Sequence, residues 1–312
     1  MSTDCGSTLV TGASGFVGRA LCEGLFTRNI QYSRVTRGLQ IAQSIEVGEI
    51  DGGTDWSNGL RQCSTVVHLA ARVHVMSDSN KDPLPAYRCT NVEGTMNLGR
   101  QAAAAGVKRF IFISSIKVNG ESTSKGCCFR PEDPPAPQDP YGISKMEAEQ
   151  GLRLLASQTG MEVVIIRPPL VYGPGVRANF ASLMRAVKRG WPLPLGAVHN
   201  QRSFVAIDNL VDFIVTCISH PLAANQTFFV SDGHDLSTTD LIRHMALSAG
   251  VPSRLIPVPM WALRAGGALI GKGDVVQRLC GNLQIDISKS QSLLGWAPPV
   301  SIEEGLRRAM SS

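Results

Sequence analysis

Three glycines spaced three residues apart near the N-terminus constrain the fold more than any other feature of the chain. Gly12, Gly15 and Gly18 lie between a short apolar run and an amphipathic segment that continues to about Arg28. In this pattern the first glycine permits a tight turn, the second lets backbone N–H groups approach a diphosphate, and the third lets a helix pack closely on a sheet. The pattern therefore predicts a strand–turn–helix unit that binds a dinucleotide.

Short β-rich runs alternate with helical patterns over the first half of the chain. The predicted strands are 7–11, 32–36, 65–70, 109–114 and 161–167, and the predicted helices between them are 15–28, 55–62, 86–105 and 143–157. This alternation predicts an α/β fold with a doubly wound parallel sheet. After Pro168 and Pro169 it breaks down, which predicts a smaller C-terminal substrate-binding lobe. We place the dinucleotide-binding domain at 1–168 with a returning segment at about 203–235, and the lobe at 169–202 and 236–312.

Composition narrows the function classes. With 312 residues, 43% hydrophobic residues and a formal charge of +5, the chain is typical of a soluble globular protein. Its lysines and arginines are scattered, so nucleic-acid binding is not expected. The eight cysteines show no metal-ligand spacing and include an adjacent pair, Cys127 and Cys128, that is poorly suited to a disulfide. We therefore expect no metal site and a cytoplasmic location.

One apolar stretch, 255–270, is too short to span a bilayer and is interrupted by two prolines and Arg264. No membrane span is expected. The stretch is interpreted as a buried or lobe-packing helix.

A tyrosine and a lysine four residues apart follow a long proline-rich loop. Tyr141 and Lys145 would share one face at the start of a helix. An ammonium close to a phenol favours the phenolate, so we expect Lys145 to lower the pKa of Tyr141. A solvated surface pair would show the same spacing. The serines at 114 and 115 favour a site, because a hydroxyl at the end of a strand points into the crevice where α/β proteins bind ligands.

Taken together, these motifs resemble the extended short-chain dehydrogenase/reductases of the nucleotide-sugar epimerase/dehydratase type. The resemblance covers nearly the whole chain and rests on the following motifs: TGASGFVG at 11–18, HLAA at 68–71, NVEGT at 91–95, the serine pair at 114–115, Tyr141 with Lys145, RPPLVYGP at 167–174, DISK at 286–289 and LGW at 294–296. It implies a Rossmann sheet, a nucleotide-sugar substrate such as a UDP-sugar, and hydride transfer between a nicotinamide and the sugar. It also implies a homodimer through the helices 86–105 and 143–157.

The resemblance implies particular site residues. The catalytic residues are Ser115, Tyr141 and Lys145. Ser115 is preferred to Ser114 by counting back from Val118, although Asn119 stands where relatives usually have tyrosine. The cofactor contacts are Gly12, Ser14, Gly15, Phe16, Val17, Arg37, Asp51, Leu69, Ala70, Ala71, Tyr141, Lys145 and Pro168.

The substrate contacts implied in the same way are Ser115, Asn179 and Arg202. Asn179 has a helix N-cap as its alternative role. Arg202 has a surface charge as its alternative role. His68 is interpreted as a structural strand residue.

The end of the second predicted strand bears on the cofactor. NAD sites usually carry an acid there, but this chain has Thr36 followed by Arg37, with Arg34 nearby. An arginine can pair with a 2′-phosphate, so NADP(H) is favoured and NAD(H) is possible. The alternative is that Arg37 stacks on the adenine or faces solvent.

Three functions follow from this interpretation. The favoured one is a 4-keto reductase of a UDP-4-keto-6-deoxy-N-acetylhexosamine in surface-polysaccharide synthesis. The alternative is a UDP-glucose or UDP-N-acetylglucosamine 4-epimerase with retained NAD. The third is a non-catalytic nucleotide sensor, which has no need of Ser115, Tyr141 and Lys145. A dehydratase is disfavoured because Ile116 follows Ser115, where dehydratases usually carry an Asp-Glu pair.

Overall fold

The computed structural model describes residues 6–36, 44–73, 82–269, 271 and 273–311. The strands in chain order are β1 (Ser7–Thr11), β2 (Tyr32–Thr36), β3 (Ser44–Glu46), β4 (Cys63–His68), β5 (Arg109–Ile113), β6 (Glu162–Arg167), β7 (Leu170–Tyr172), β8 (Phe204–Ala206) and β9 (Thr227–Phe229). Seven of them form one sheet in the order β3-β2-β1-β4-β5-β6-β9, and every neighbouring pair is parallel. The predicted doubly wound parallel sheet is confirmed.

Helices cover both faces of this sheet. The α-helices are α1 (Phe16–Thr27), α2 (Ser57–Leu60), α3 (Leu84–Arg88), α4 (Thr95–Ala104), α5 (Pro140–Thr159), α6 (Ala178–Lys188), α7 (Ile207–Ser219), α8 (Thr238–Ser248), α9 (Met260–Leu269), α10 (Gly273–Cys280), α11 (Ser288–Leu294) and α12 (Ile302–Ser311). Alternate strand side chains face opposite sides. Val10 and Val67 pack in the core that includes α1 and α7, whereas Leu9 and Val66 pack in the core that includes α4 and α5.

The structure divides one of the predicted helices. The helix predicted over 86–105 is interrupted, because a π-helical segment (Cys89–Gly94) joins α3 to α4. At its end Gly94 lies so close to Ile50 that a Cβ would come within 2.9 Å of the isoleucine side chain. π-Helical turns inside α-helices are frequent at functional sites.

The C-terminal lobe is built on a second, two-stranded parallel sheet of β7 and β8. A third apolar core, with residues of α6, α8 and α12, packs there. The segment 203–235 supplies β8 to this small sheet and β9 to the large one. The domain boundaries themselves stay a prediction.

The apolar stretch at 255–270 is less buried than expected. Met260 and Leu263 of α9 pack on the lobe core, but Trp261 is 73% exposed and Leu269 is 88% exposed. Of the two predicted roles, a lobe-packing helix fits α9, which packs on the lobe through one side, whereas a fully buried helix does not. Within the described ranges, the structure contains no helix with the length and apolar character needed to cross a membrane.

Candidate active site

The glycine loop joins β1 to α1 and brings backbone close to backbone. Gly12 has a φ of +68°, and a Cβ there would lie 2.7 Å from the Ala70 nitrogen. A Cβ at Gly18 would lie 2.1 Å from the Gly12 carbonyl oxygen. Only glycine fits such contacts. Among the described residues, no side chain caps the start of α1, so its first N–H groups can receive a diphosphate.

A cleft of about 670 Å³ lies at the carboxyl ends of β1, β4, β5 and β6. This is where α/β sheets bind ligands. The predicted cofactor and catalytic residues that line it are Gly12, Ser14, Gly15, Phe16, Val17, Leu69, Ala70, Ala71, Ser115, Tyr141, Lys145 and Pro168. The structure thus brings most of the predicted site together in one cavity.

The two serines after β5 have different surroundings. The Ser114 hydroxyl is buried and donates to Glu149 Oε1 at 2.5 Å. The half-buried Ser115 begins a turn in which its Oγ accepts a hydrogen bond from the Lys117 nitrogen at 3.3 Å. Because Ser114 is committed to a buried carboxylate, Ser115 is the better candidate for binding a substrate oxygen.

Lys145 lies beneath the cleft. Its Nζ donates to the Ile113 carbonyl oxygen at 2.8 Å and lies 4.4 Å from the centre of the Phe112 ring. Burial lowers the pKa of Lys145 to about 7, and the carboxylate of Glu149 opposes this shift. The ammonium is held by a backbone carbonyl and an aromatic face, one helical turn from Tyr141.

Tyr141 stands in the first turn of α5, where Asp139 caps the helix by accepting from the Gly142 nitrogen at 2.7 Å. Removal from water raises the pKa of Tyr141 above its ordinary value, and Asp139 and Tyr87 raise it further. The predicted lowering of this pKa by Lys145 is therefore wrong. The Lys145 Nζ is 6.0 Å from the centre of the Tyr141 ring, so desolvation outweighs its charge.

The π-helical segment connects the loop after β4 to α5. Asn91 accepts from the Arg72 nitrogen at 2.8 Å and donates to the Arg72 carbonyl at 3.0 Å. It also donates to Ser144 Oγ at 3.0 Å, and Ser144 donates to the Tyr141 carbonyl at 2.8 Å. The sequence indicated Asn91 as part of a motif but not this positioning contact.

His68 is fully buried between two threonines. Its Nδ1 is 2.7 Å from Thr11 Oγ1, and its Nε2 is 3.0 Å from Thr95 Oγ1. Burial, with a smaller contribution from the charge of Lys145, lowers the pKa of His68 to about 3. A neutral imidazole that links β1, β4 and α4 fits the structural role predicted for it.

The residues that form the cleft wall near the end of β2 differ from those predicted. Thr36 lines the cleft, and Arg37 lies outside the described residues. Asp51, a predicted cofactor contact, does not line the cleft. Its carboxylate accepts a hydrogen bond from the Gly53 nitrogen at 2.8 Å within a local turn. Glu49 and Ile50 line the cleft instead. An acid therefore does reach this wall, from the segment after β3.

The predicted substrate residues Asn179 and Arg202 are not among the residues that line this cleft. Asn179 is exposed in the first turn of α6, whose N-cap position is Arg177, so its alternative role as an N-cap is wrong. Arg202 is half-buried and donates to the Gly281 carbonyl at 3.0 Å. Burial lowers the pKa of Arg202, and this setting differs from that of a plain surface charge.

Several cleft residues were missed by the sequence reasoning. They are Val35, Glu49, Ile50, Arg72, Val73, Thr90, Ile113, Pro169 and Val171. Pro169 and Val171 lie within the RPPLVYGP motif at 167–174. Glu49 and Thr90 belong to no motif that pointed to the site.

Comparisons with known proteins agree with this geometry. The profile of the NAD dependent epimerase/dehydratase family matches residues 8–230. The chain is 52% identical over 307 residues to a UDP-glucose 4-epimerase of Vibrio cholerae, covering 97% of this chain and 94% of that protein. It is 28% identical to an N-acetyl-alpha-D-glucosaminyl-diphospho-ditrans,octacis-undecaprenol 4-epimerase of Escherichia coli O157:H7, covering 97% and 94%. The solved structure of MoeE5 in complex with UDP-glucose and NAD matches 98% of both chains with a TM-score of 0.78 and 26% identity.

These comparisons confirm the resemblance and the fold, and they correct the predicted reaction. The preference for a 4-keto reductase is wrong, because the 52% identity over nearly the full length is to a 4-epimerase. The preference for NADP(H) is not supported, since the solved relative holds NAD.

Proposed function

Because the chain belongs to the NAD-dependent epimerase/dehydratase family, we propose that it is a UDP-glucose 4-epimerase that retains NAD. The observation that carries the proposal is the 52% identity to a UDP-glucose 4-epimerase across 97% of the chain. The gathering of Ser115, Tyr141 and Lys145 in one cleft supports it. A non-catalytic sensor would have no need of these three residues.

Ser115, Tyr141 and Lys145 have separate roles in the reaction at carbon 4 of the hexose. Bound in this cleft, NAD would supply the hydride acceptor and donor for this carbon, and its positive charge would favour the Tyr141 phenolate that burial disfavours. Tyr141 takes the proton of the carbon 4 hydroxyl as the carbonyl forms, and returns it to the same oxygen after the sugar has turned its other face. Ser115 would hydrogen-bond this oxygen, and Lys145 would donate to a ribose hydroxyl of the cofactor.

The cofactor contacts in this proposal are the cleft residues around the glycine loop and the end of β4. Glu49 supports NAD over NADP, because it lines the cleft together with Thr36. A carboxylate at this wall accepts from ribose hydroxyls and repels a 2′-phosphate.

In this proposal Asn179 and Arg202 bind the diphosphate of the substrate.

The protein forms a homodimer through α4 and α5. On α5, Leu154 is 60% exposed, which favours a face that the partner subunit covers. The cysteines that the structure describes are all free, in keeping with a reducing cytoplasm.

The test supplies UDP-glucose to the purified protein without added cofactor and follows the carbon 4 configuration by NMR. We expect interconversion with UDP-galactose, no net cofactor consumption, and release of NAD on denaturation. UDP-N-acetylglucosamine is assayed in parallel to identify the preferred sugar. Activity that depends on added NADPH and consumes it would reject the proposal, and so would cofactor binding without turnover of either sugar.

A further inference from the structure

The solvent side of α9 is apolar, which is unusual for a surface helix. Met260 and Leu263 already pack on the lobe core, and Gly267 is buried. On the other side, Trp261 and Leu269 are 73% and 88% exposed. Surface helices normally turn polar residues to water. Here both sides of the helix are apolar.

Basic residues precede, occupy and follow this helix in the sequence. The sequence from 254 to 280 holds four basic residues and one acidic residue: Arg254, Arg264, Lys272, Arg278 and Asp274. The three arginines are exposed. An exposed tryptophan and leucine among arginines is the composition of helices that lie in a membrane interface, where the rings enter the headgroup layer and the cations meet anionic lipids.

We propose that this α9 face, made of Trp261, Ala265, Ala268 and Leu269, docks on an anionic lipid surface. The exposed Trp261 and Leu269 enter the interface, and Arg254 and Arg264 contact the headgroups. The helix lies in the plane of the surface as a peripheral contact.

The α9 face is mechanically linked to the substrate lobe. The segment that ends α10 is fastened to the loop at 200–202, because Asn200 donates to the Leu279 carbonyl at 3.1 Å and to the Gly281 carbonyl at 2.8 Å. Arg202 donates to the same Gly281 carbonyl at 3.0 Å. The loop that carries Arg202 is therefore fastened to the segment that ends α10, the helix that follows α9.

Vesicle co-sedimentation of the full chain tests the proposal. We expect pelleting with phosphatidylcholine vesicles that contain about 30% phosphatidylglycerol, little pelleting with pure phosphatidylcholine, and release at about 0.5 M salt. The double variant Trp261→Ser/Leu269→Ser should bind at least about fivefold less. Arg254→Gln/Arg264→Gln should lower binding to the anionic vesicles alone.

A matched control is Leu247→Ser on α8, since Leu247 is 79% exposed but lies outside the α9 face. It should pellet like the unmodified protein, and all variants should keep their far-UV circular dichroism and their turnover of soluble UDP-sugar. No pelleting with anionic vesicles, or equal loss in the Leu247 control, would overturn the proposal. Light scattering showing that the double variant dissociates an oligomer would also overturn it, by assigning the α9 face to a second copy of the chain.

Discussion

Replacing Glu149 with glutamine should destabilise the protein strongly, because this side chain neutralises a buried arginine behind the catalytic helix. Glu149 is fully buried and Arg167 is 2% exposed. The carboxylate accepts from Arg167 Nε at 2.8 Å and Nη2 at 2.5 Å, from Ser114 Oγ at 2.5 Å, and from Arg153 Nη2 at 2.9 Å. Glutamine has the same size, so the substitution removes charge without opening a cavity.

The magnitude follows from these contacts. Removing one partner of a buried ion pair costs about 3–5 kcal/mol, because the other charge stays buried without compensation. The amide also turns an N–H group toward donors of Arg167 or Ser114, which removes a hydrogen bond to a charged group. Asn119 remains, since its Oδ1 accepts from Arg167 Nη1 at 2.8 Å, but it carries no charge. We therefore expect the free energy of unfolding to fall by about 3–5 kcal/mol.

Urea unfolding at pH 7.5, followed by circular dichroism, measures this loss. The matched control is Arg153→Gln, which removes the solvent-facing member of the same network. The Arg153 side chain is 44% exposed, so its loss should cost less than about 1 kcal/mol. A Glu149→Gln variant that loses under about 1 kcal/mol, or no more than the control, would refute the view that the buried pair holds this helix.

Three further predictions concern the site and the core. Tyr141→Phe should reduce turnover of UDP-glucose by about 10²-fold or more while the purified protein still releases NAD on denaturation; near-normal turnover would contradict its catalytic role. Arg202→Ala should raise KM for UDP-glucose by roughly 10- to 150-fold, the loss of one charge-assisted contact, with a smaller change in kcat; an unchanged KM would remove Arg202 from the substrate site. His68 has a pKa of about 3 in the folded protein, so below pH 6.5 the unfolded chain binds a proton that the folded chain excludes. Stability should therefore fall by about 2 kcal/mol from pH 7.5 to pH 5; urea unfolding of His68→Asn should lack this part of the loss, and an unchanged pH slope would show that His68 does not titrate on unfolding.

The sequence predicted elements well where a local pattern determines them. Strands β1 and β2 begin and end as expected, because each is a short β-rich run next to a turn or loop. Strands β7 and β9 were missed, since each has three residues and offers too little pattern. The sequence predicted which segments of the chain line the site, but not every side chain that enters it. Which side chain enters the cleft depended on the turn after β3, where Asp51 bonds the Gly53 nitrogen and Glu49 lines the cleft instead.

The prediction of the wrong reaction also arose because residues from separate segments meet in the cleft. Reduction and epimerisation both need carbon 4 beside the nicotinamide and its oxygen between Ser115 and Tyr141, so the catalytic residues are common to both. What separates the reactions is whether the cofactor exchanges or is retained, and the predicted exchange rested on Thr36 and Arg37. Parallel strands bring the ends of separate segments to one edge of the sheet, and here that edge also receives Glu49. The acid that is absent at Thr36, the end of β2, is thus supplied by Glu49 in the segment that follows β3. A cofactor preference therefore has to be judged from all the residues that line the cleft.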